Sequence, residues 1–198
     1  MEDYYEELWQ RLPDDLAPSD LELRRDFLLA QVREGDRALD LGCGTGTFTA
    51  VLAQAGALAV GIEVAQAAVR RARARHPSLD FRHAPIGGPL PLADNSFDVV
   101  WGSEVIEHVA DTARWLSEVR RVLAPRGRLL LTTPSHGRLP IALGGLERFA
   151  EPLGDHLRLY TRRSLGEILA QFGFAEIHIR GAGGLPLLRR TLIARAVR

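Results

Sequence analysis

The feature that most constrains this chain is a regular alternation of short apolar runs and helix-like segments through its middle. The strand-like runs fall at 37–41, 58–63, 79–83, 97–103 and 127–134. Segments with helical apolar spacing lie between them at 47–56, 64–76 and 111–123, and Asp111 is placed to cap the last of these. Strands and helices that alternate in this way form a mostly parallel sheet with helices on both faces. The expected fold class is therefore α/β, with a doubly wound sheet.

The last part of the chain adds two more strand-like runs, which raises the expected number of strands to seven. They cover residues 174–180 and 190–198 and follow a helix-like segment at 162–173. The glycine-rich connection at 181–186 is too short for a crossover helix. These two strands should therefore pair antiparallel at one end of the sheet, which gives one antiparallel strand.

Two helix-like segments precede the first strand. The first covers residues 2–12 and ends at Pro13. The second begins near Ser19, a residue type that favours helix starts, with Glu22 three residues later. Ser19 is thus the expected N-cap.

The 198 residues fit a single domain, and their composition excludes several functions. Acidic and basic residues balance at 25 each, so no overall field favours nucleic acid or an anionic membrane. All 25 basic residues are arginine, which excludes Schiff-base chemistry and the Walker-type phosphate loop because both need lysine. The lone Cys43 excludes an internal disulfide, and neither a signal peptide nor a membrane-length apolar run is visible. The expected location is the cytoplasm.

The strongest local motif is DLGCGTG, residues 40–46, which joins the first strand of the alternation to its first helix. This turn faces the ligand crevice in doubly wound sheets, and glycines allow the backbone to turn sharply beside a ligand. A dinucleotide fingerprint would need a glycine where Thr47 stands, so the motif favours a ligand without a pyrophosphate. Glu63 ends the second strand 21 residues after Gly42, where a carboxylate can bind ribose hydroxyls.

Three further stretches follow the glycine loop in order within residues 36–180. With the loop they read ALDLGCGTGTFTAVLA, GIEVAQAAVRRARAR, LPLADNSFDVVWGSEVIEHVAD and EVRRVLAPRGRLLLTTP. Together they resemble class I S-adenosylmethionine-dependent methyltransferases, of the broad branch that contains the ubiquinone- and menaquinone-pathway enzymes. The resemblance implies a Rossmann-like seven-stranded sheet, S-adenosylmethionine as methyl donor and S-adenosylhomocysteine as product. Residues 1–198 would then be one methyltransferase domain, with the N-terminal helices of residues 1–34 as a lid.

The resemblance also assigns cofactor-binding residues. Asp40 and the loop backbone at 42–44 would hold the methionine part, and Glu63 the ribose. The loop after the third strand lacks the acid that family members commonly place against the adenine, so contact there is expected from Ile86 or Gly87. The expected cofactor set is Asp40, Gly42, Cys43, Gly44, Glu63, Val64, Ile86, Gly87 and Ser103.

The stretch WGSEVIEHVAD, residues 101–111, places two carboxylates and an imidazole within five positions. If it is helical, Glu104, Glu107 and His108 share one face. Two branches of the resembled family use this arrangement for a divalent metal, with a further histidine that His156 would supply here. Two other interpretations stay open: His108 as a pocket residue or general base without metal, and a purely structural turn. His108 and His156 are the candidate catalytic residues, and no residue is assigned as a metal ligand.

Residues 135–160 carry no clear period and follow the carboxyl end of a strand, where open α/β sheets bind ligands. This insertion is expected near the acceptor. The sequence therefore predicts methyl transfer to a small-molecule acceptor, most readily at oxygen. The alternatives are a metal-assisted O-methyltransferase that uses the two glutamates and His108, and a non-catalytic cofactor-binding or partner-binding domain. A nicotinamide-linked oxidoreductase is disfavoured by Thr47.

Overall fold

The computed structural model describes residues 2–13, 18–85, 89–136, 156–185 and 189–198. It confirms the α/β class, because a seven-stranded sheet carries helices on both faces. The strands are β1 (Arg37–Leu41), β2 (Leu58–Glu63), β3 (Asp80–His83), β4 (Phe97–Ser103), β5 (Leu123–Pro134), β6 (Ala175–Ala182) and β7 (Thr191–Val197). The α-helices in the described ranges are α1 (Glu2–Arg11), α2 (Leu21–Leu29), α3 (Thr47–Gln54), α4 (Gln66–Arg75), α5 (Thr112–Val122) and α6 (Arg162–Gln171).

The strand order is β3-β2-β1-β4-β5-β7-β6. The first five strands in this order are parallel to one another, whereas β7 runs antiparallel to both β5 and β6. The prediction of one antiparallel strand near one end of the sheet is therefore confirmed. β1 pairs with β2 on one side and with β4 on the other. The direction in which successive strands are added to the sheet therefore reverses beside β1. Ligands bind at such a switch point, outside the carboxyl ends of the strands.

Alternating side chains of the central strands build a core on each face of the sheet. On β5, Leu130 packs with Trp101 and with the apolar faces of α2 and α3. Its neighbours Leu129 and Leu131 point to the opposite face, where α5 and α6 cover them. Burial on both faces explains why these strands read as continuous apolar runs rather than alternating ones. Among the helices that the structure describes, none combines the length and apolar character needed to cross a membrane.

The structure confirms the predicted start of α5 and corrects its end. Asp111 caps α5, since its carboxylate accepts a 2.9 Å hydrogen bond from the amide of Arg114. The predicted helix at 111–123 ends at Val122, and β5 begins at the next residue. Pro125 explains the early end, because a proline disfavours helical geometry at the residue before it.

Ser19 does not cap α2, so that prediction was wrong. The N-cap position is held by Asp20, at a left-handed φ of 47° and with no side-chain cap bond. The Ser19 hydroxyl instead accepts a 2.9 Å hydrogen bond from the Arg24 guanidinium. A local capping rule does not consider this contact with the arginine side chain.

Candidate active site

A cavity of about 480 Å³ opens at the carboxyl ends of β1, β2 and β4. Its walls come from α1, the glycine loop after β1, the end of β2, the turn after β4 and the start of α5. It therefore lies at the switch point of the sheet, and its volume is ordinary for a small-molecule site.

Two glycines shape the floor of this cavity. Gly42 has a φ of 79°, and a Cβ there would lie 2.5 Å from Cγ2 of Val105. Gly44 has a φ of 52°, and a Cβ there would lie 3.0 Å from the ring of Trp9. Glycine alone satisfies both the backbone conformation and the spacing. The loop backbone therefore reaches the cavity without side chains in front of it, with α1 directly above.

Asp40 is a buried carboxyl on the cavity wall. The hydroxyl of Thr49 donates a 2.6 Å hydrogen bond to its Oδ2. Burial nevertheless raises the pKa of Asp40 to about 7, and the nearby charge of Glu63 acts in the same direction. A ligand cation beside this group would stabilise its charged form.

Glu63 stands at the end of β2, close enough for its charge to act on Asp40. Its hydrogen bonds come from backbone amides. Its carboxylate accepts hydrogen bonds from the amides of Gly44 at 3.0 Å, Val64 at 2.7 Å and Ala65 at 3.3 Å. Burial raises its pKa against these three bonds. The carboxylate thus joins the glycine loop to the start of α4, and it retains lone pairs for a ligand.

Arg24 of α2 also lines the cavity, and sequence reasoning missed it. It is 4% exposed, and one terminal nitrogen lies 3.3 Å from Oε2 of Glu104. Its Nε is buried without a hydrogen-bond partner in the described part of the chain. A signal was present: Arg24 follows Leu21 by three residues and precedes Leu28 by four, so it shares the helix face that packs inward.

The stretch after β4 is a turn and not an α-helix. A single 3-10 turn covers Ile106–His108, and Glu104 adopts a left-handed φ of 55°. This geometry aims the carboxylate of Glu104 at Arg24 and at the hydroxyl of Thr132, 2.9 Å away. The condition for a helix face shared by Glu104, Glu107 and His108 is therefore not met, because the stretch is not helical at Glu104.

Glu107, His108 and His156 nevertheless come together. One potential ligand atom from each lies within 4.8 Å of the others. The rings of His108 and His156 have centroids 4.8 Å apart, and Oε1 of Glu107 is 3.8 Å from Nε2 of His108. His108 lines the cavity, whereas Glu107 is wholly buried behind it.

Glu107 is only half satisfied by its surroundings. Its Oε2 accepts a 2.9 Å hydrogen bond from the hydroxyl of Thr133, but Oε1 accepts no hydrogen bond within the described ranges. Burial raises the pKa of Glu107, and the neighbouring carboxylate of Glu104 raises it further. An orphaned buried oxygen beside two imidazoles is a donor set that suits a divalent cation.

Comparisons with known proteins agree with this architecture. A family model described as a methyltransferase domain matches residues 39–131. A probable S-adenosylmethionine-dependent methyltransferase of Mycolicibacterium smegmatis is 37% identical over 147 residues, which cover 74% of this chain and 54% of that protein. The ubiquinone biosynthesis O-methyltransferase of Dinoroseobacter shibae is 32% identical over 176 residues, 84% of this chain and 71% of that protein. The chain belongs to the S-adenosylmethionine-dependent methyltransferases.

A comparison with solved structures shows a shared fold. The crystal structure of an S-adenosylmethionine-dependent methyltransferase from Mesorhizobium loti superposes with a TM-score of 0.72 at 21% identity, over 94% of this chain and 100% of that one. The methyltransferase chain spans about half the length, or less, of several curated relatives that it matches.

Most of the expected cofactor residues of this methyltransferase lie on one cavity wall. Those on the wall are Asp40, Gly42, Cys43, Gly44, Glu63, Val64 and Ser103. Ile86 and Gly87 lie outside the described residues, as does most of the predicted insertion at 135–160. His136 is buried away from the wall and bonds the carbonyl of Tyr160 at 3.2 Å.

The cavity of the methyltransferase fits its family's cofactor by the chemistry of its donor set. It offers a buried carboxyl at Asp40, a second at Glu63, and a buried guanidinium with an unused N–H at Arg24. S-adenosylmethionine presents an ammonium, a ribose diol and a carboxylate, which are the three matching groups.

Proposed function

We propose that the methyltransferase transfers a methyl group from S-adenosylmethionine to a hydroxyl oxygen of a small-molecule acceptor. One observation carries the proposal: a single cavity joins the Asp40 and Glu63 carboxyls to the imidazole of His108. The O-methyltransferase name of the relative at 32% identity supports oxygen as the methylated atom.

The cofactor end would be held by four groups. Asp40 would bind the ammonium, Arg24 the carboxylate and Glu63 the ribose hydroxyls, while the amides of the glycine loop lie against the methionine part. The adenine would meet the loop after β3, where Ile86 and Gly87 are the proposed contacts. S-adenosylmethionine supplies a methyl group on a sulfonium sulfur, which is already activated for displacement.

The acceptor end would be built around His108, with His156 packed against its ring. A neutral imidazole can accept the proton of a hydroxyl acceptor as its oxygen is methylated. The protein's main contribution is to align acceptor and donor, and the base matters only where the hydroxyl is poorly ionised. The N-terminal helices would close the cavity as its lid.

The test is transfer of radiolabel from methyl-labelled S-adenosylmethionine to a panel of phenols, catechols, alcohols and amines. We expect label on a hydroxyl compound, and His108→Gln should lower kcat about 100-fold, the usual contribution of a general base. His178→Gln on the exposed side of β6 is the matched control and should leave kcat unchanged. Label on amines alone would contradict oxygen transfer. Tight cofactor binding without transfer to any compound would favour a non-catalytic domain.

A metal-assisted version of this reaction is the second candidate, favoured by the cluster of Glu107, His108 and His156. These three residues would hold a divalent cation, which lowers the pKa of a hydroxyl acceptor when bound. Elemental analysis after exposure to Mg²⁺, Mn²⁺ or Zn²⁺ and desalting tests it, with S-adenosylhomocysteine present. Near-stoichiometric metal that Glu107→Ala abolishes is the expected result, and it should bind more tightly as pH rises because Glu107 must lose its proton. Metal-free protein with full activity would eliminate this version.

A further inference from the structure

Helix α1 contacts both ends of the cavity at once. Its Trp9 ring lies over Gly44 in the cofactor loop. Its Tyr5 ring stands 6.4 Å from the ring of His108, at an interplanar angle of 90°. Tyr5 and Trp9 are four residues apart and therefore share one face of the helix. Any displacement of α1 must uncover the donor end and the acceptor end together.

Polar contacts join α1 to α4. The carboxylate of Glu6 accepts a 2.9 Å hydrogen bond from the amide of Ala67 and lies 3.1 Å from the Arg70 guanidinium. Arg71 donates a 2.9 Å hydrogen bond to the carbonyl of Leu12, just after the end of α1. Glu6 is the one side chain of α1 that makes two of these contacts.

The start of α4 depends on Glu6, because this helix has no capping side chain of its own. Its N-cap residue is Ala65, which offers no acceptor, so the amide of Ala67 is satisfied from α1. The negative charge of Glu6 also lies at the positive end of the helix dipole. The hydrogen bond from Ala67 accordingly holds the pKa of Glu6 below its ordinary value, which keeps the carboxylate charged at neutral pH.

The same helix start is bound from the other side by the candidate ribose carboxylate. Glu63 accepts hydrogen bonds from the amides of Val64 and Ala65, and Glu6 accepts from the amide of Ala67 two residues later. The α1 contact and the cofactor contact therefore converge on four consecutive residues of backbone. We expect a shift of the Glu6 contact to displace the Glu63 contact, because both carboxylates bind the same end of α4.

We propose that Glu6 is a latch that holds α1 closed over the cavity and sets how long S-adenosylhomocysteine stays bound. The inference rests on the proposed function, because it takes this product as the ligand of the cavity. While Glu6 is bonded to α4, Trp9 and Tyr5 close the two ends of the cavity. When those bonds break, α1 opens and the product leaves.

Stopped-flow displacement of S-adenosylhomocysteine tests the latch. Glu6→Ala should raise the dissociation rate constant about five- to tenfold, the factor expected for loss of a helix cap with its charge. Glu6→Gln should raise it about two- to threefold, because an amide oxygen still accepts from Ala67 but does not attract Arg70. Glu7→Ala is the matched control, since Glu7 is exposed on the same helix and pairs only with Arg11 in the described contacts. It should leave the rate unchanged.

Association rates separate a latch from a merely structural role. A weakened latch exposes the cavity more often, so the association rate constant of Glu6→Ala should equal or exceed that of the wild type. Arg70→Ala probes the same contact from α4 and should raise the dissociation rate about twofold. Two results would overturn the latch and leave the proposed function standing. One is a dissociation rate constant of Glu6→Ala within twofold of the wild type, and the other is a lower association rate constant in both Glu6→Ala and Arg70→Ala. A wild-type protein that does not bind S-adenosylhomocysteine would overturn both.

Discussion

A comparison of Gly42 with Gly35 separates two destabilising effects of a side chain at a glycine with left-handed φ. These are backbone strain and steric overlap with a neighbour. Both have a φ near 80°, but a Cβ at Gly35 meets nothing within 4 Å, whereas one at Gly42 meets Val105. We expect Gly35→Ala to lower the free energy of unfolding by about 1–2 kcal/mol through backbone strain alone. Gly42→Ala should lose about 1–3 kcal/mol more through overpacking. Urea unfolding of the ligand-free protein measures both, and equal losses would show that Val105 moves aside freely.

Single residues also show which parts of the site could be predicted from the sequence and which could not. Asp40 was expected at the cofactor from the family resemblance and Glu63 from its place at the end of β2, and both line the cavity. Arg24 was not predicted, since its importance comes from a contact with Glu104, 80 positions away. The apolar spacing of α2 distinguishes the two adjacent arginines by helix face, but it does not reveal the distant carboxylate that the buried one contacts.

At the scale of elements, α5 depends on a cap that the sequence predicted correctly. Asp111→Ala should lower the free energy of unfolding by about 1 kcal/mol, because the amide of Arg114 loses its acceptor. Asp111→Asn should retain most of that stability, since asparagine is an equally good cap. Thermal unfolding of the two variants decides the matter. An equal loss in both would point to a role of the charge instead of the hydrogen bond.

The turn at 104–108 marks the limit of element prediction. Its sequence permits a helical face, but a strained Glu104 reverses the backbone, held by the hydroxyl of Thr132 and by Arg24. Both partners come from other elements, so no local rule could have found the turn. The strands were easier, because burial on both faces leaves long apolar runs such as that of β5.

At the scale of the whole molecule, buried acids tie stability to pH. The folded pKa of Asp40, about 7, lies above its ordinary value of 3.8, so the folded protein binds more protons than the unfolded chain between those values. The contribution of this group to stability therefore falls as pH rises through that range and levels off above it. The Asp40→Asn variant lacks this titratable carboxyl and therefore serves as the comparison.

Compared with Asp40→Asn, the ligand-free wild type should lose about 1–3 kcal/mol of unfolding free energy between pH 5 and pH 8. Denaturant unfolding of both proteins at the two pH values measures the difference, and the histidines cancel because both proteins contain them. A constant difference would mean that Asp40 titrates normally in the fold.

The strand directions of the sheet were within reach of sequence reasoning. The alternation fixes a parallel sheet, and a connection at 181–186 too short for a helix fixes the antiparallel pair at its end. The resemblance implied a lid from the N-terminal helices, but no pattern supplied the contact that seats α1 beside the cavity. That contact joins Glu6 to the start of α4, some 60 positions along the chain.

Cys43 gives the packing beneath the glycine loop a practical use. It is the only thiol in the chain, it is 7% exposed, and its side chain packs with Val69, Ala72 and Phe81 under α4 and β3. Burial raises the pKa of this thiol well above its ordinary value, so a chromogenic thiol reagent reacts slowly with the folded protein. The unlabelled, unmutated protein therefore carries its own optical probe. The rate of colour development in a cuvette reports how often the packing between α4 and the sheet opens.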